Sequence, residues 1–318
     1  MLAKPPPSGI TVLSPHGSFL FQSRPSRAPG VNQAARISER GLSSVSNTVS
    51  NPPAPSGLSN RSVDINRSVR DCLVEKLFNP SHSPGAMDTD EKKRLAGIEA
   101  CRWVRDGMSL GLGTGSTVSH TIIELGRMVS EGEISVVGVP TSVATRDLAQ
   151  TLGIPLTTLS EVGSLDLVID GTDEFDPKFC LIKGGGGALT REKIVAQSSK
   201  AMIVVADERK QVDVLGKFHL PVEILQFEWR ATSARLAEIC PGGVALRGGE
   251  NPFQTDNGGY IIDCDFGGAI DDPRTLESEI LSIAGVVEVG LFCDMCDAVI
   301  LAGEDRVETL VKNGGRLG

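Results

Sequence analysis

From residue 88 onward the chain alternates short apolar runs with stretches whose apolar residues recur every three or four positions. Asp88-Thr89-Asp90-Glu91 sets acids at the positive end of a helix dipole, and Leu95, Ile98 and Cys101 follow on one face. Residues 108–112 read as a buried strand and 113–117 as a glycine loop, after which Val118, Ile122, Leu125 and Val129 line one side of a helix. A second strand is expected over 134–139, and Pro140-Thr141-Ser142 leads into a helix that runs through Leu148. Strands at 165–169, 181–182 and 201–206 follow, with a helix over 189–200 before the last of them. Alternation of this kind needs right-handed crossovers, so it predicts a parallel sheet covered on both faces.

After about Lys217 the rhythm changes. Strands over 221–227, 243–247, 260–266 and 286–292, with helices over 231–239 and 273–283, spell the ferredoxin-like order β-α-β-β-α-β. A further apolar strand at 298–302 can return to the first sheet. The fold class expected is therefore α/β: a Rossmann-like parallel-sheet domain (88–217 plus 294–318) with an inserted ferredoxin-like α+β domain (218–293). Residues 1–87 are different in kind. They are rich in Ser, Pro, Asn and Arg and show no sustained period, and Glu39 is their one acid before Asp64, so they read as a disordered extension. The same composition fits an organelle transit peptide, an untargeted tail, or an over-extended start before Met87. The compartment is thus open between the cytoplasm and a plastid or other organelle.

Charge sharpens this division. Residues 1–87 hold nine Lys or Arg against four Asp or Glu, whereas the remainder holds 22 against 36. An acidic body is a poor nucleic-acid binder, because such binding needs a clustered basic surface. No run approaches the roughly 20 apolar residues of a membrane span. Seven cysteines, scattered and odd in number, do not form a disulfide framework and fit a reducing compartment. Cys293 and Cys296 make a lone Cys-x-x-Cys with no second pair for zinc, and read as small buried residues.

The candidate chemistry is concentrated at predicted strand ends. Gly111-Leu-Gly113-Thr-Gly115-Ser-Thr117 lacks the last glycine of a dinucleotide fingerprint and the Gly-Lys of a Walker loop. What it offers is a nest of backbone N–H groups with hydroxyls at a helix start, suited to one phosphate monoester. Thr141 and Ser142 are a second hydroxyl edge or a helix cap. Asp170, Asp173, Glu174 and Asp176 follow a buried strand, where open α/β sheets bind ligands, and the spacing of the first two aims both carboxylates into one crevice. A solvated acidic turn or a divalent metal site are the competing readings, the metal disfavoured by Lys183 and the lack of nearby histidine. Lys183 opens four consecutive glycines that end at the helix carrying Glu192. Such a run costs chain entropy that only a close approach to the backbone would justify. Lys210, just past the strand ending at Asp207, is either a surface lysine or a phosphate contact at the same sheet edge.

Together these motifs, with Ala-Asp-Glu-Arg-Lys from Ala206, Leu-Pro-Val-Glu-Ile from Leu220 and Thr-Asp-Asn-Gly from Thr255, closely resemble type A ribose-5-phosphate isomerase, in order from about residue 88 to 312. The resemblance implies interconversion of D-ribose 5-phosphate and D-ribulose 5-phosphate in the non-oxidative pentose phosphate pathway, without metal or organic cofactor. It implies Glu192 as the base moving a proton between C2 and C1, Lys183 as the group polarising the reacting oxygens, and Asp170 and Asp173 as contacts to the sugar oxygens that assist ring opening. It extends substrate binding to Thr114, Gly115, Ser116, Thr117, Gly171, Thr172, Gly184, Gly185, Gly186, Lys210 and, less directly, Lys93. Thr172 departs from the alanine usual in that loop. A carboxylate is a weak base unless partly desolvated, so Glu192 is expected to have a raised pKa. The partner expected is a small phosphosugar, with no nucleic acid and no membrane, and a homo-oligomer, dimer or tetramer, built on the small domain's open sheet face. A sugar-phosphate deaminase or acyl-CoA transferase relative, and a phosphosugar sensor, are the rival classes. Joint retention of Asp170, Asp173, Lys183 and Glu192 argues against both.

Overall fold

The computed structural model describes residues 88–304 and 306–317, so the extension expected over 1–87 lies outside the described residues. Helix α1 (Thr89–Cys101) starts at Asp88, whose carboxylate accepts the Glu91 N–H at 2.8 Å. Its buried face is Ala96, Gly97, Ala100 and Cys101, not the Leu95 and Ile98 line expected from periodicity. The reason is close packing on α2 (Ser116–Ser130): a Cβ on Gly97 would stand 2.8 Å from both His120 Cβ and Thr121 N. Small residues let two helices approach until their backbones nearly touch, and the larger side chains are turned to the rim.

The main sheet is formed by β1 (Ser109–Leu112), β2 (Val137–Pro140), β3 (Leu167–Gly171), β6 (Met202–Asp207), β12 (Ala298–Ala302) and β13 (Val307–Val311), in the order β13-β12-β6-β3-β1-β2. All neighbours are parallel except β13, which runs antiparallel on the edge. Along β3 and β6 successive side chains divide between two cores, as the twofold period of a strand demands. Leu167, Ile169, Ile203 and Val205 join α1 and α2, while Val168, Met202 and Val204 join α5 (Leu189–Gln197) on the other face. The connecting segments include α3 (Val143–Thr151) and a one-turn helix α4 (Leu159–Val162) held by a capping box between Thr158 and Glu161.

The small domain is a four-stranded antiparallel sheet, β7 (Leu220–Ile224), β8 (Gly243–Leu246), β9 (Tyr260–Asp265) and β10 (Val286–Val289), in the order β10-β7-β9-β8. Helices α6 (Trp229–Ile239) and α7 (Pro273–Leu281) complete the ferredoxin-like order, and β12 then returns beside β6. The small domain is therefore an insertion. The strand expected over 286–292 is split: β10 ends at Val289, and β11 (Leu291–Phe292) pairs instead with β5 (Leu181–Ile182), which also pairs with β4 (Glu174–Phe175). The chain changes sheets at Gly290, where a Cβ would lie 2.3 Å from the Lys183 carbonyl oxygen. Gly290 accepts the Lys183 N–H at 2.9 Å and donates to Pro221 at 2.8 Å, which fixes the strand that presents Lys183.

Candidate active site

The carboxyl ends of β1, β3 and β6 meet the glycine loop after β5 and the first turn of α5. Between them lies a cleft of about 170 Å³, lined by Lys93, residues 114–117, residues 171–173, residues 183–186, Glu192, Asp207, Arg209 and Lys210. Of the residues that the resemblance assigns to the site, all border this cleft except Asp170, which touches the lining Lys183. Glu174 and Asp176 do not border it, their carboxylates being spent on backbone N–H groups of Gly216, Phe218, Lys178 and Cys180. The position is the one topology favours, outside the ends of parallel strands.

At the floor, Lys183 brings two carboxyls together. Its Nζ lies 3.2 Å from Asp170 Oδ2 and 3.2 Å from Glu192 Oε1, and donates to the Gly171 carbonyl at 2.6 Å. All three side chains are buried. Asp170 is held by its other oxygen, Oδ1, which accepts the N–H groups of Thr114 at 3.0 Å and Gly171 at 2.7 Å. Gly113 leaves room for this: a Cβ there would stand 2.3 Å from Asp170 Oδ1. Among the described residues, buried Glu192 Oε2 has no hydrogen-bond partner. Burial and the nearby Asp170 charge push the Glu192 carboxyl up to about 8, against the pull of Lys183. Burial likewise raises Asp170, opposed by Lys183 and the two backbone donors. Burial alone would lower Lys183, but Asp170, Glu192 and Asp173 together outweigh it and keep the ammonium charged. One fixed cation between two reluctant carboxyls holds a mobile proton, which suits acid–base work.

The other end of the cleft is built for an anion. Gly115 opens α2 with φ 131°, and among the described residues no side chain caps that helix start, so its first N–H groups are left for the cleft mouth that Ser116 and Thr117 line. Lys93 and Lys210 stand beside it, and neither forms an ion pair among the described residues. Lys92 is instead paired with Glu208. Thr114 is engaged differently from its neighbours. Its hydroxyl meets those of Thr141 at 2.7 Å, Ser142 at 2.8 Å and Thr145 at 3.2 Å, and its N–H is given to Asp170. Its hydroxyl shapes the loop from within. Ser142 is the cap of α3, accepting the Thr145 N–H at 3.0 Å, and joins that hydroxyl cluster as well.

Two lining residues were not singled out by sequence. Asp207, buried at the end of β6, takes both Nε and Nη2 of Arg209, at 2.8 and 2.9 Å, and that pairing holds its carboxyl below the usual range. The signal available was their place in the Ala-Asp-Glu-Arg-Lys stretch, at the same strand end as Lys210. Among the described residues no group of three or more His, Cys, Asp or Glu is placed to hold a metal ion. Cys293 and Cys296 are buried free thiols.

Residues 137–306 match the family model for ribose 5-phosphate isomerase A (phosphoriboisomerase A). Ribose-5-phosphate isomerase A of Bacillus mycoides is 49% identical over 217 residues, covering 68% of this chain and 97% of that relative. That of Rhodopseudomonas palustris is 49% identical over 231 residues, covering 70% and 99%. The chain belongs to the ribose 5-phosphate isomerase A family. It is an aldose–ketose isomerase that interconverts ribose 5-phosphate and ribulose 5-phosphate, the family's step in the pentose phosphate pathway. Solved structures of the family share the fold. The enzyme of Methanocaldococcus jannaschii superposes with a TM-score of 0.66 at 42% identity, covering 71% of this chain and all of its own. A ribose-5-phosphate isomerase solved with phospho-erythronic acid gives 0.68 at 42% identity, with the same coverage.

Thr172, where the resemblance leads one to expect alanine, has a structural role of its own. The Thr172 hydroxyl reaches the Glu174 carbonyl at 2.6 Å and the Ile182 carbonyl at 2.9 Å, so it pins the turn between β3 and β4 to β5. Both flanking aspartates keep their places: Asp173 Oδ2 accepts the Gly185 N–H at 2.7 Å. Side chains on both sides of Glu192 tie α5 down. Thr190 donates to the buried Glu223, Arg191 binds Asn257 and Asp256, and Lys193 pairs with Glu277 and Glu288 at 2.7 Å each. All of these partners belong to the inserted domain.

Proposed function

We propose that Glu192 is the base of this isomerase, acting through an enediolate, and that the cleft divides its labour between phosphate and sugar. Ser116, Thr117, Lys93 and Lys210 take the phosphate at the uncapped start of α2, which leaves the chain's reacting end over Lys183. Asp170 and Asp173 serve ring opening by exchanging protons with the ring oxygen and the C1 hydroxyl. In the open aldose, Glu192 removes the proton on C2, the electron pair moves into an enediolate, and the same carboxyl returns the proton to C1. The proton on O2 passes to O1, and Asp170, whose carboxyl burial raises, is placed beside Lys183 to relay it. Lys183 stabilises negative charge on O1 and O2, an electrostatic contribution that is large in a buried site. The single observation carrying this reading is the buried Glu192 Oε2, without a partner among the described residues, beside a lysine 3.2 Å from Oε1. That a solved relative holds phospho-erythronic acid supports it, since a four-carbon acid phosphate resembles the enediolate in length and charge.

The domain limits that fit this assignment are 88–217 with 294–318 for the catalytic part and 218–293 for the insertion. The pH dependence follows from Glu192. A base must be unprotonated to act, and this carboxyl is pushed up to about 8, so kcat/KM for ribose 5-phosphate rises through that pH instead of levelling off near 5. Ketose formation measured from pH 5 to 10 in chelator tests both points. No ketose refutes the activity of this chain, and an acid limb near 4.5 refutes Glu192 as the titrating base.

The chain is also expected to associate with itself. Leu225, Phe227 and Val287 cluster at the β7–β10 end of the small sheet, and Phe227 is 82% exposed. Light scattering should give two or four times the 33.6 kDa chain mass. A single-chain mass at micromolar concentration removes the proposal.

A further inference from the structure

Arg247, just past β8 in the inserted domain, is fully committed to two tasks. Its Nε and Nη2 bind both carboxylate oxygens of Asp263, and its Nη1 gives one N–H to the Gly184 carbonyl at 2.8 Å and one to the Gly185 carbonyl at 3.0 Å. Phe253 lies against both Arg247, 5.9 Å from ring to guanidinium, and Gly187. Gly184 to Gly187 form a turn closed by the Gly187 N–H on the Gly184 carbonyl at 2.9 Å. The central peptide of such a turn joins two glycines, so it can flip between alternative turn types with little steric cost. In a trans peptide the N–H points opposite to the preceding carbonyl. With both carbonyls held toward Arg247, the N–H groups of Gly185 and Gly186 point the other way. Gly185 confirms the direction, for its N–H meets Asp173 on the cleft side. Gly186 also lines the cleft, and its N–H has no partner among the described residues.

We infer that Arg247 is a positioning residue for the isomerase reaction: it locks the central peptide of the Gly184–Gly187 turn so that the Gly186 N–H is aimed at the substrate oxygen that becomes the oxyanion. This rests on the isomerase reading above. A donor preorganised in this way strengthens its bond only as charge develops, so it acts on kcat more than on substrate affinity. Lysine cannot replace it, because one ammonium cannot grip Asp263 bidentately and hold two carbonyls at once.

The test compares the parent with Arg247→Met, which keeps the contact with Phe253 and removes the donors, and with Arg247→Lys. Arg247→Met is expected to lower kcat roughly 10- to 100-fold, below the full loss of an oxyanion donor, with KM changed less than about threefold. The alkaline-rising limb set by Glu192 stays in place. Phospho-erythronic acid, followed by calorimetry, binds roughly tenfold more weakly, and amide exchange of residues 184–187 speeds up. Arg247→Lys falls closer to Arg247→Met than to the parent. A folded Arg247→Met with kcat within about twofold of the parent, or with unchanged exchange in the turn, overturns the inference. Should Arg247→Met fail to fold, Asp263→Asn loosens the same guanidinium, and unaltered exchange there overturns it equally. A parent that makes no ketose sinks the isomerase reading instead, while exchange and phospho-erythronic acid binding still report on the turn.

Discussion

Glu192→Gln is expected to lower kcat by roughly 10²- to 10⁴-fold, the usual cost of removing a general base, with KM for ribose 5-phosphate little changed. Glutamine keeps the shape of the side chain and can still accept from Lys183, so phosphate and sugar contacts persist while the proton acceptor is gone. The same variant should melt at a higher temperature than the parent near neutral pH. The sign follows from linkage. Glu192 is raised from 4.5 to about 8, so the folded chain keeps a proton that the unfolded chain has lost, and stability drains away as pH climbs across that window. Glutamine has no such proton to account for. Steady-state kinetics and calorimetric melting between pH 5 and 9 check both halves. Near-parental turnover removes Glu192 from the chemistry, and an unchanged melting temperature removes the stored cost.

Lys183→Met is expected to lose both activity and stability. The methionine leaves Asp170 and Glu192 buried without their cation, and breaking a buried pair by removing one partner costs about 3–5 kcal/mol. Both carboxyls then take up protons, so the variant should be least unstable at low pH and weaken as pH rises. On the reaction, loss of the charge that holds the enediolate oxygens lowers kcat by roughly 10²- to 10³-fold, as for one oxyanion donor. Because the glycine loop and the start of α2 are untouched, inorganic phosphate should still compete for the cleft. Denaturant unfolding at pH 5 and 8, paired with kinetics, measures this. Equal stability at both pH values, or turnover within about tenfold of the parent, contradicts it.

How much of this could be read from residues alone varies with the kind of interaction. Asp170, Lys183 and Glu192 lie within 22 positions of one another, and a strand end followed by glycines and a helix start already places them on one edge. Their convergence needs only local geometry. The β-α-β-β-α-β order came from periodicity for the same reason. By contrast, α1 buries Ala96, Gly97 and Ala100 because α2 comes so close, and nothing in the α1 pattern announces its partner. The break at Gly290 depends on where the Lys183 carbonyl lies, more than 100 residues earlier in the chain. The hydroxyl of Thr114 was expected to face substrate, and it is drawn inward by Thr141, Ser142 and Thr145 from a different strand end. Arg247 carries no motif at all. Its meaning comes from two carbonyl oxygens on the far side of the sequence, and carbonyls leave no trace in a list of side chains.

Helix α5 has a mechanical consequence. Residues on either side of Glu192 are fastened to the insertion: Thr190 to the fully buried Glu223, itself bonded to Thr255 at 2.5 Å, and Lys193 to two glutamates and the Val289 carbonyl. Any swing of the small domain would drag the helix with it and carry the base away from the sugar. Movement of the small domain is therefore coupled to the position of the base. The base is thus set jointly by the sheet on which α5 packs and by the insertion that grips its two flanks.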